Sequence, residues 1–384
     1  MVRLKMGMVG GGLDALVGAW HRRAVAIDGG IELVAGALSS TRERALAAAK
    51  AWNLPRAYAS WEHMLEQEVG RPAQERIDFV TVATPNHLHY PVAKAFIDAG
   101  FNVVCDKPMT RTLEEAKSLA SLVAKVGAVF ALTHNYTGYP LVKQARYMVA
   151  AGELGELIKV IVEYNQGWLL EALERDGHKG ASWRVDPARS GQGGAMGDIG
   201  THAENLMRYI TGLEIEALCA DLGRRHGRAL DDDGSVLLRL RGGARGVLTA
   251  SQVLSGEGNA LRIRVYGTRG SLAWDQEHPE TLIFSRNSGP SQIYRRGEAY
   301  LCAAAKRGTR LPPGHPEAFN EAFANIYANA CDTMRARKER RAPTELELDF
   351  PTAEDGVRGL AFIAAAVASD GSQAKWTPMK DYLN

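Results

Sequence analysis

Apolar residues in the first third of the chain fall into short unbroken runs separated by stretches of helical period. The runs predict strands at 3–9, 31–38, 77–84, 102–105 and 128–133. The periodic stretches predict helices at 17–27, 41–52, 89–99 and 113–126. Pro55, Gly100 and Gly127 stand where the last three of these must stop. Unbroken apolar strands are buried on both faces, and their alternation with helices builds a parallel sheet covered on both sides.

The pattern changes after Tyr139. One helix, 141–151, ends at Gly152. Strands then follow at 157–166, 214–222, 235–241, 245–252, 262–267, 271–275 and 281–285. Several alternate apolar with polar positions, and turns such as Arg241-Gly242-Gly243 and Thr268-Arg269-Gly270 separate them. This is the pattern of a large, mostly antiparallel sheet. Helices are expected at 198–211, 317–337 and 353–368. The fold class is therefore an α/β domain on a parallel sheet followed by an α+β domain with a large, mostly antiparallel open sheet. The expected division is 1–137 and 138–384, a direct handover with no Pro/Ser linker.

Composition changes this picture little. Lys plus Arg total 46 against 44 Asp plus Glu, so the net charge of +2 argues against nucleic acid or an anionic membrane as partner. No apolar run is long enough to span a bilayer, and no secretory leader is evident. Four cysteines without a C-x-x-C pair suit neither a zinc site nor a disulfide scaffold, so a reducing, cytoplasmic setting and no metal are expected. Glycine is the one excess: 40 of 384 residues, against a usual ~7%. It concentrates in two clusters, Gly10–Gly18 and Gly191–Gly200.

The first cluster, GGGLDALVGAWH from Gly10 to His21, joins a strand to a helix. That order lets backbone approach a pyrophosphate at a helix N-terminus, with Gly10, Gly12 and Leu13 against the cofactor. Gly10-x-Gly12 fits the usual spacing, but the third glycine, Gly18, comes three residues late, and a plain tight turn reads the same way. The ribose position, about 20 residues on, is Ser39 rather than an acid. Ser39, Ser40 and Arg42 suit a 2′-phosphate, which favours NADP over NAD, although Ser-Ser-Thr also reads as a helix cap.

The chemistry-bearing motifs lie at predicted strand ends, where an open parallel sheet lines its ligand crevice. Thr84-Pro85-Asn86-His87-Leu88-His89 follows the most apolar strand, and Asp106-Lys107-Pro108 ends the next. A lysine there can polarise a substrate hydroxyl. It also reads as an ordinary surface lysine, and His89 as a helix-start residue. The second glycine cluster runs into Gly197-Asp198-Ile199-Gly200-Thr201-His202. Asp198 and His202, i and i+4, share a helix face, with a histidine suited to proton transfer and a carboxylate able to orient a hydroxyl. The plainer alternative is an N-cap aspartate and a core histidine.

Taken in order, these motifs resemble the glucose–fructose oxidoreductase, inositol dehydrogenase and MocA family (Gfo/Idh/MocA) along nearly the whole chain. The resemblance rests on the glycine loop with Gly18-x-x-His21, TPNHLH, Asp106-Lys107-Pro108 where Glu-Lys-Pro is usual, and GDIGTH. It implies that the first domain is a Rossmann NAD(P)-binding domain followed by the open-sheet domain, and that Lys107, Asp198 and His202 are catalytic. It also implies that Thr84, Pro85, Asn86, His89, Asp106, Lys107 and Asn135 lie along the cofactor, with Asn135 and Tyr136 near nicotinamide and substrate. Homodimers or homotetramers through the open sheet are implied as well.

For the substrate, Trp183-Arg184 offers the aromatic-plus-guanidinium pairing common in sugar sites, and Trp168 and His315 are further rim candidates. Trp183 also reads as core, and His315-Pro316-Glu317 as a helix start. No cluster of Lys or Arg accompanies them. The reading is thus an NAD(P)-dependent dehydrogenase of an unphosphorylated sugar, glycoside or inositol. Two other readings stay open: a glycoside hydrolase that keeps NAD for a transient redox cycle, and a non-catalytic NAD(P)/sugar sensor.

Overall fold

The computed structural model describes residues 2–13 and 15–383; Asp14 of the first glycine loop lies outside them. Two compact units form. The first comprises Met1–Asn135 and Asn320–Gly356, the second Tyr136–Phe319 and Val357–Asn384. The division falls two residues from the expected one, but the chain does not cross only once. A late segment returns to the first unit.

In the first unit, strands β1 (Leu4–Gly10), β2 (Ile31–Ala37), β3 (Arg56–Ala57), β4 (Phe79–Ala83), β5 (Asn102–Cys105) and β6 (Phe130–Leu132) form a parallel sheet in the order 3-2-1-4-5-6. Met6, Met8, Phe79, Val80, Val82, Val103 and Val104 are fully buried, as two-sided helix cover requires. Sheet growth reverses between β1 and β4, which flank the ligand crevice of such a fold.

The returning segment carries residues 320–338 of the Phe319–Lys338 helix. Phe323, Ile326, Tyr327, Ala330 and Met334 are buried in the unit. The Tyr327 hydroxyl lies 2.6 Å from His21 Nδ1 and 3.0 Å from Thr81 Oγ1. Arg335 donates to the Gly30 carbonyl at 2.7 Å. All four cysteines are unbridged; burial pushes the Cys105 thiol up, and that of Cys331 up to about 12.

The second unit is built on nine strands: β7 (Leu157–Asn165), β8 (Ile215–Gly223), β9 (Asp233–Leu240), β10 (Arg245–Ser251), β11 (Ala260–Gly267), β12 (Gly270–Asp275), β13 (Thr281–Arg286), β14 (Gln292–Arg295) and β15 (Thr377–Pro378). Their order is 14-13-12-11-7-10-9-8-15. Pairing is antiparallel throughout except between β7 and β10. The Thr201–Thr211 helix packs on β7, β10 and β11, and the Pro140–Ala150 helix on β12 and β13. The opposite face carries a row in register across the sheet, exposed at Leu237, Ile283 and Ile293 and half-buried at Val247, Ile161, Arg264 and Ala273.

Candidate active site

The first glycine cluster forms a tight cradle in the first unit. Gly10 and Gly11 adopt φ of +79° and +69°, a backbone region that disfavours side chains. A Cβ on Gly18 would lie 2.0 Å from the Gly11 carbonyl, so the late third glycine performs the close helix-to-loop contact. Among the described residues no side chain caps the start of the Leu16–Ile27 helix, whose N-terminal amides and dipole suit an anion. Leu13 is exposed beside the cradle.

Ser39 and Ser40 lie in the loop after β2, half-buried and exposed respectively, and Arg42 is exposed at the start of the next helix. Thr41 occupies the cap position but makes no side-chain cap bond, so capping does not account for this hydroxyl cluster.

At the ends of β4, β5 and β6 the motifs interlock. Asp106 Oδ1 accepts from Thr133 Oγ1 at 2.7 Å and from the Lys107 amide at 3.1 Å. The buried His89 ring bridges two loops: Nδ1 is 2.8 Å from the Pro108 carbonyl and Nε2 is 2.9 Å from that of Thr84. Burial lowers its pKa, opposed by the Asp106 carboxylate, and a neutral ring donates to only one of the two. His89 thus braces the Pro85–Asn86 turn against the cis Lys107–Pro108 turn. Lys107 is half-buried and Asn86 buried. Two buried polar atoms here, Thr84 Oγ1 and Asn135 Nδ2, have no hydrogen-bond partner within the protein. Buried polar groups require partners. Together with the glycine cradle and the start of the Leu16–Ile27 helix, these atoms fit a bound dinucleotide.

The second glycine cluster organises the second unit. Residues Met196–Gly200 form one π-helical turn that runs into the Thr201–Thr211 helix, where a regular helix from 198 was expected. Such turns recur at functional sites. The cap is Asp231, not Asp198. The buried Asp231 carboxylate accepts from the Gly194 and Met196 amides, both at 2.7 Å, while burial pushes its pKa up. Backbone passes so near it that a Cβ on Gly194 would lie 1.9 Å from the Asp231 carbonyl.

Asp198 is thereby left for side-chain chemistry. Its Oδ2 accepts from Arg184 Nε at 3.1 Å and from Gln252 Nε2 at 2.8 Å. The Arg184 guanidinium lies 4.4 Å from the Trp183 ring centre and 5.9 Å from that of Trp168. His202 is buried, with the Tyr136 ring edge-on at 4.8 Å and Tyr164 at 6.1 Å. The Tyr136 and Tyr164 hydroxyls bond to each other. Asn259 accepts from Tyr164 at 2.7 Å and donates to Tyr136 at 3.1 Å. Burial raises both phenol pKa values. Gln166 links Asn259 to the Trp168 indole, at 2.7 and 3.0 Å.

The structure therefore brings Trp168, Trp183, Arg184 and Asp198 together, and places Tyr136 against His202 with its hydroxyl engaged by Tyr164 and Asn259. The His315 side chain is exposed; what is fixed there is its backbone, whose carbonyl accepts from the buried Arg296. Gln252, Tyr164, Asn259 and Asp231 were not anticipated as site residues. The signal available for Gln252 was a polar residue at the end of the predicted 245–252 strand. Among the described residues no group of three or more His, Cys, Asp or Glu is placed to hold a metal, and no helix is long and apolar enough to cross a membrane.

Residues 4–136 match an oxidoreductase family with an NAD-binding Rossmann fold, and residues 142–273 match the GFO/IDH/MocA C-terminal domain. An uncharacterized oxidoreductase of Bacillus subtilis is 30% identical over 98% of this chain and 97% of its own length. Levoglucosan dehydrogenase of Pseudarthrobacter phenanthrenivorans is 28% identical over 77% of this chain and 79% of its own. An inositol dehydrogenase homolog from Azotobacter vinelandii, solved with NAD+, superposes with a TM-score of 0.92 at 34% identity, covering 98% of this chain and 97% of that one. A second complex, with NADH and myo-inositol, gives 0.90 at 33% identity, covering 98% of each chain. The chain belongs to the Gfo/Idh/MocA family of NAD(P)-dependent oxidoreductases.

Proposed function

We propose that the enzyme transfers hydride between a nicotinamide cofactor and a hydroxyl-bearing carbon of an unphosphorylated sugar, glycoside or cyclic polyol. The observation that carries this reading is the pairing of Arg184 with Asp198 beside Trp168 and Trp183. The guanidinium charge is already matched, so a phosphate would have to compete with Asp198 for it, whereas a neutral polyol meets a carboxylate and aromatic faces. The named inositol and levoglucosan relatives support the same class.

Oxidation of the substrate carbinol removes a hydride from carbon and a proton from oxygen, leaving a carbonyl. When bound, the cofactor supplies the hydride acceptor. His202 takes the hydroxyl proton, Lys107 polarises that hydroxyl, and Asp198 orients a neighbouring one. The Gly10–Gly18 loop, Thr84, Pro85, Asn86 and Asn135 hold the cofactor, with His89 and Asp106 bracing the turns around it. The discriminating experiment is a panel of neutral polyols against their phosphate esters; turnover confined to the esters would overturn the reading.

Ser39, Ser40 and Arg42 favour NADP, while relatives solved with NAD+ and NADH support acceptance of NAD as well. Ser39→Asp introduces an acid that binds ribose hydroxyls and repels a 2′-phosphate. The ratio of kcat/KM for NADP over NAD should fall about tenfold or more in that variant, one charge-assisted contact's worth. An unchanged ratio removes Ser39 from the ribose site.

The exposed apolar residues Leu237, Ile283 and Ile293 of the in-register row support assembly into a homodimer or homotetramer through that face of the open sheet. Leu237 is 48%, Ile283 44% and Ile293 55% exposed, and exposed apolar side chains grouped on one sheet face mark an interaction surface. Sedimentation should show an oligomer that Leu237→Glu with Ile283→Glu converts to monomer; an unaltered oligomer places the interface elsewhere.

A further inference from the structure

The Asp198 carboxylate is held on one oxygen by two donors from separate parts of the second unit. Arg184 reaches Oδ2 from the end of the Lys179–Arg184 helix, at 3.1 Å. Gln252 reaches the same oxygen at 2.8 Å from just beyond β10. An oxygen has two lone-pair sites, so two donors fix the carboxylate's rotation, and donors to a charged acceptor are the strong kind.

Gln252 is itself immobilised. It is 2% exposed. Its backbone amide donates to the Asp232 backbone carbonyl at 2.8 Å, and its backbone carbonyl accepts from the Leu169 amide at 2.9 Å. Asp232 in turn is bonded at 2.8 Å by the buried Arg228. Arg228 also donates to the Leu169 and Glu171 carbonyls and pairs with Glu174, at 2.9–3.1 Å. The stretch that brings Trp168 is therefore anchored through the same backbone that carries Gln252. The neutral amide donates here without adding a charge beside Arg184.

From this geometry we infer that Gln252 is a positioning residue for the reaction: it acts on substrate through Asp198, by fixing the direction in which that carboxylate accepts a hydroxyl. This rests on the polyol-dehydrogenase reading above. Its energetic signature is coupling. Gln252 matters only while Asp198 has a carboxylate to hold, so substitutions at the two positions must not add.

The test is a double-mutant cycle of Gln252→Leu and Asp198→Ala, read as kcat/KM for the best neutral polyol, with cofactor Kd and thermal midpoint measured in parallel. Gln252→Leu should lower kcat/KM about 10- to 100-fold, the cost of losing a hydrogen bond to a charged group. Cofactor Kd should stay unchanged. In the Asp198→Ala background the same change should cost less than about twofold, within the error of additivity. Gln252→Glu, nearly equal in volume, sets a carboxylate against Oδ2 and should lose at least as much as Gln252→Leu. Parent-like activity of Gln252→Leu and Gln252→Glu, with Asp198→Ala impaired, overturns the inference and leaves the functional reading standing. Equal losses from Gln252→Leu in both backgrounds overturn it too, because they mark a purely structural role. Parent-like activity of Asp198→Ala overturns the functional reading itself, and the inference with it.

Discussion

Replacing His202 by alanine lowers turnover of a neutral polyol by about 10²–10⁴-fold, the usual contribution of a positioned general base, and leaves cofactor affinity unchanged. The expectation follows from where the ring sits. His202 lies on the first turn of the Thr201–Thr211 helix, directly after the π turn that carries Asp198. It is only 6% exposed, and the aromatic rings of Tyr136 and Tyr164 pack against it. Such packing restricts the ring to a narrow range of directions, which suits proton transfer at a fixed atom. Steady-state turnover, together with titration of the reduced cofactor by its fluorescence, separates the two effects. A variant with parent turnover removes His202 from the proton path and leaves it a core histidine.

Gly18→Ala should weaken cofactor binding about 10- to 100-fold, the range expected when overpacking forces a backbone shift. The new methyl would lie 2.0 Å from the Gly11 carbonyl oxygen and 2.4 Å from its Cα. Both are backbone atoms, so relief requires the helix to move from the loop it presents to the pyrophosphate. Gly70→Ala is the matched control in the same unit. Gly70 has φ of −72°, and its nearest neighbour would be 3.7 Å away, an ordinary contact. Calorimetric Kd values for NAD and NADP, with thermal midpoints, decide the matter. Equal affinity in Gly18→Ala and parent would show that the late glycine has no part in the cradle.

Much of the first unit was legible because its strands are continuous apolar runs between strong helix signals. The predicted 102–105 and 113–126 match Asn102–Cys105 and Leu113–Val126, and the others shift by one or two residues at an end. The Trp61–Val69 helix was missed. So were β3 and β15, of two residues each, and the edge strand β14. Strands this short leave no periodic trace. The return of 320–356 to the first unit was also hidden. Phe323, Ile326, Tyr327 and Met334 announce a buried helix, but periodicity carries no information on which sheet buries it.

The site divides in the same way. Lys107, Asp198, His202 and the Trp183–Arg184 pair stand in motifs whose spacing is local, so they could be read along the chain. Gln252, Tyr164 and Asn259 are isolated polar or aromatic residues at strand ends. They converge only through the parallel pairing of β7 with β10 and the antiparallel pairing of β7 with β11. That register is a long-range property. Asp231 was hidden for another reason: its carboxylate caps a turn that begins 37 residues earlier in the chain.

The most direct measurement is the rate of cofactor reduction, followed by absorbance, across a panel of myo-inositol, levoglucosan, free hexoses, aryl glycosides and sugar phosphates, each with NAD and NADP. Hydride transfer to the nicotinamide from an unphosphorylated polyol predicts stoichiometric formation of reduced cofactor and a carbonyl product (ketone or lactone) with at least one neutral substrate, and little with the phosphates. Release of aglycone from a glycoside without net cofactor reduction, or reduction only with sugar phosphates, would contradict it.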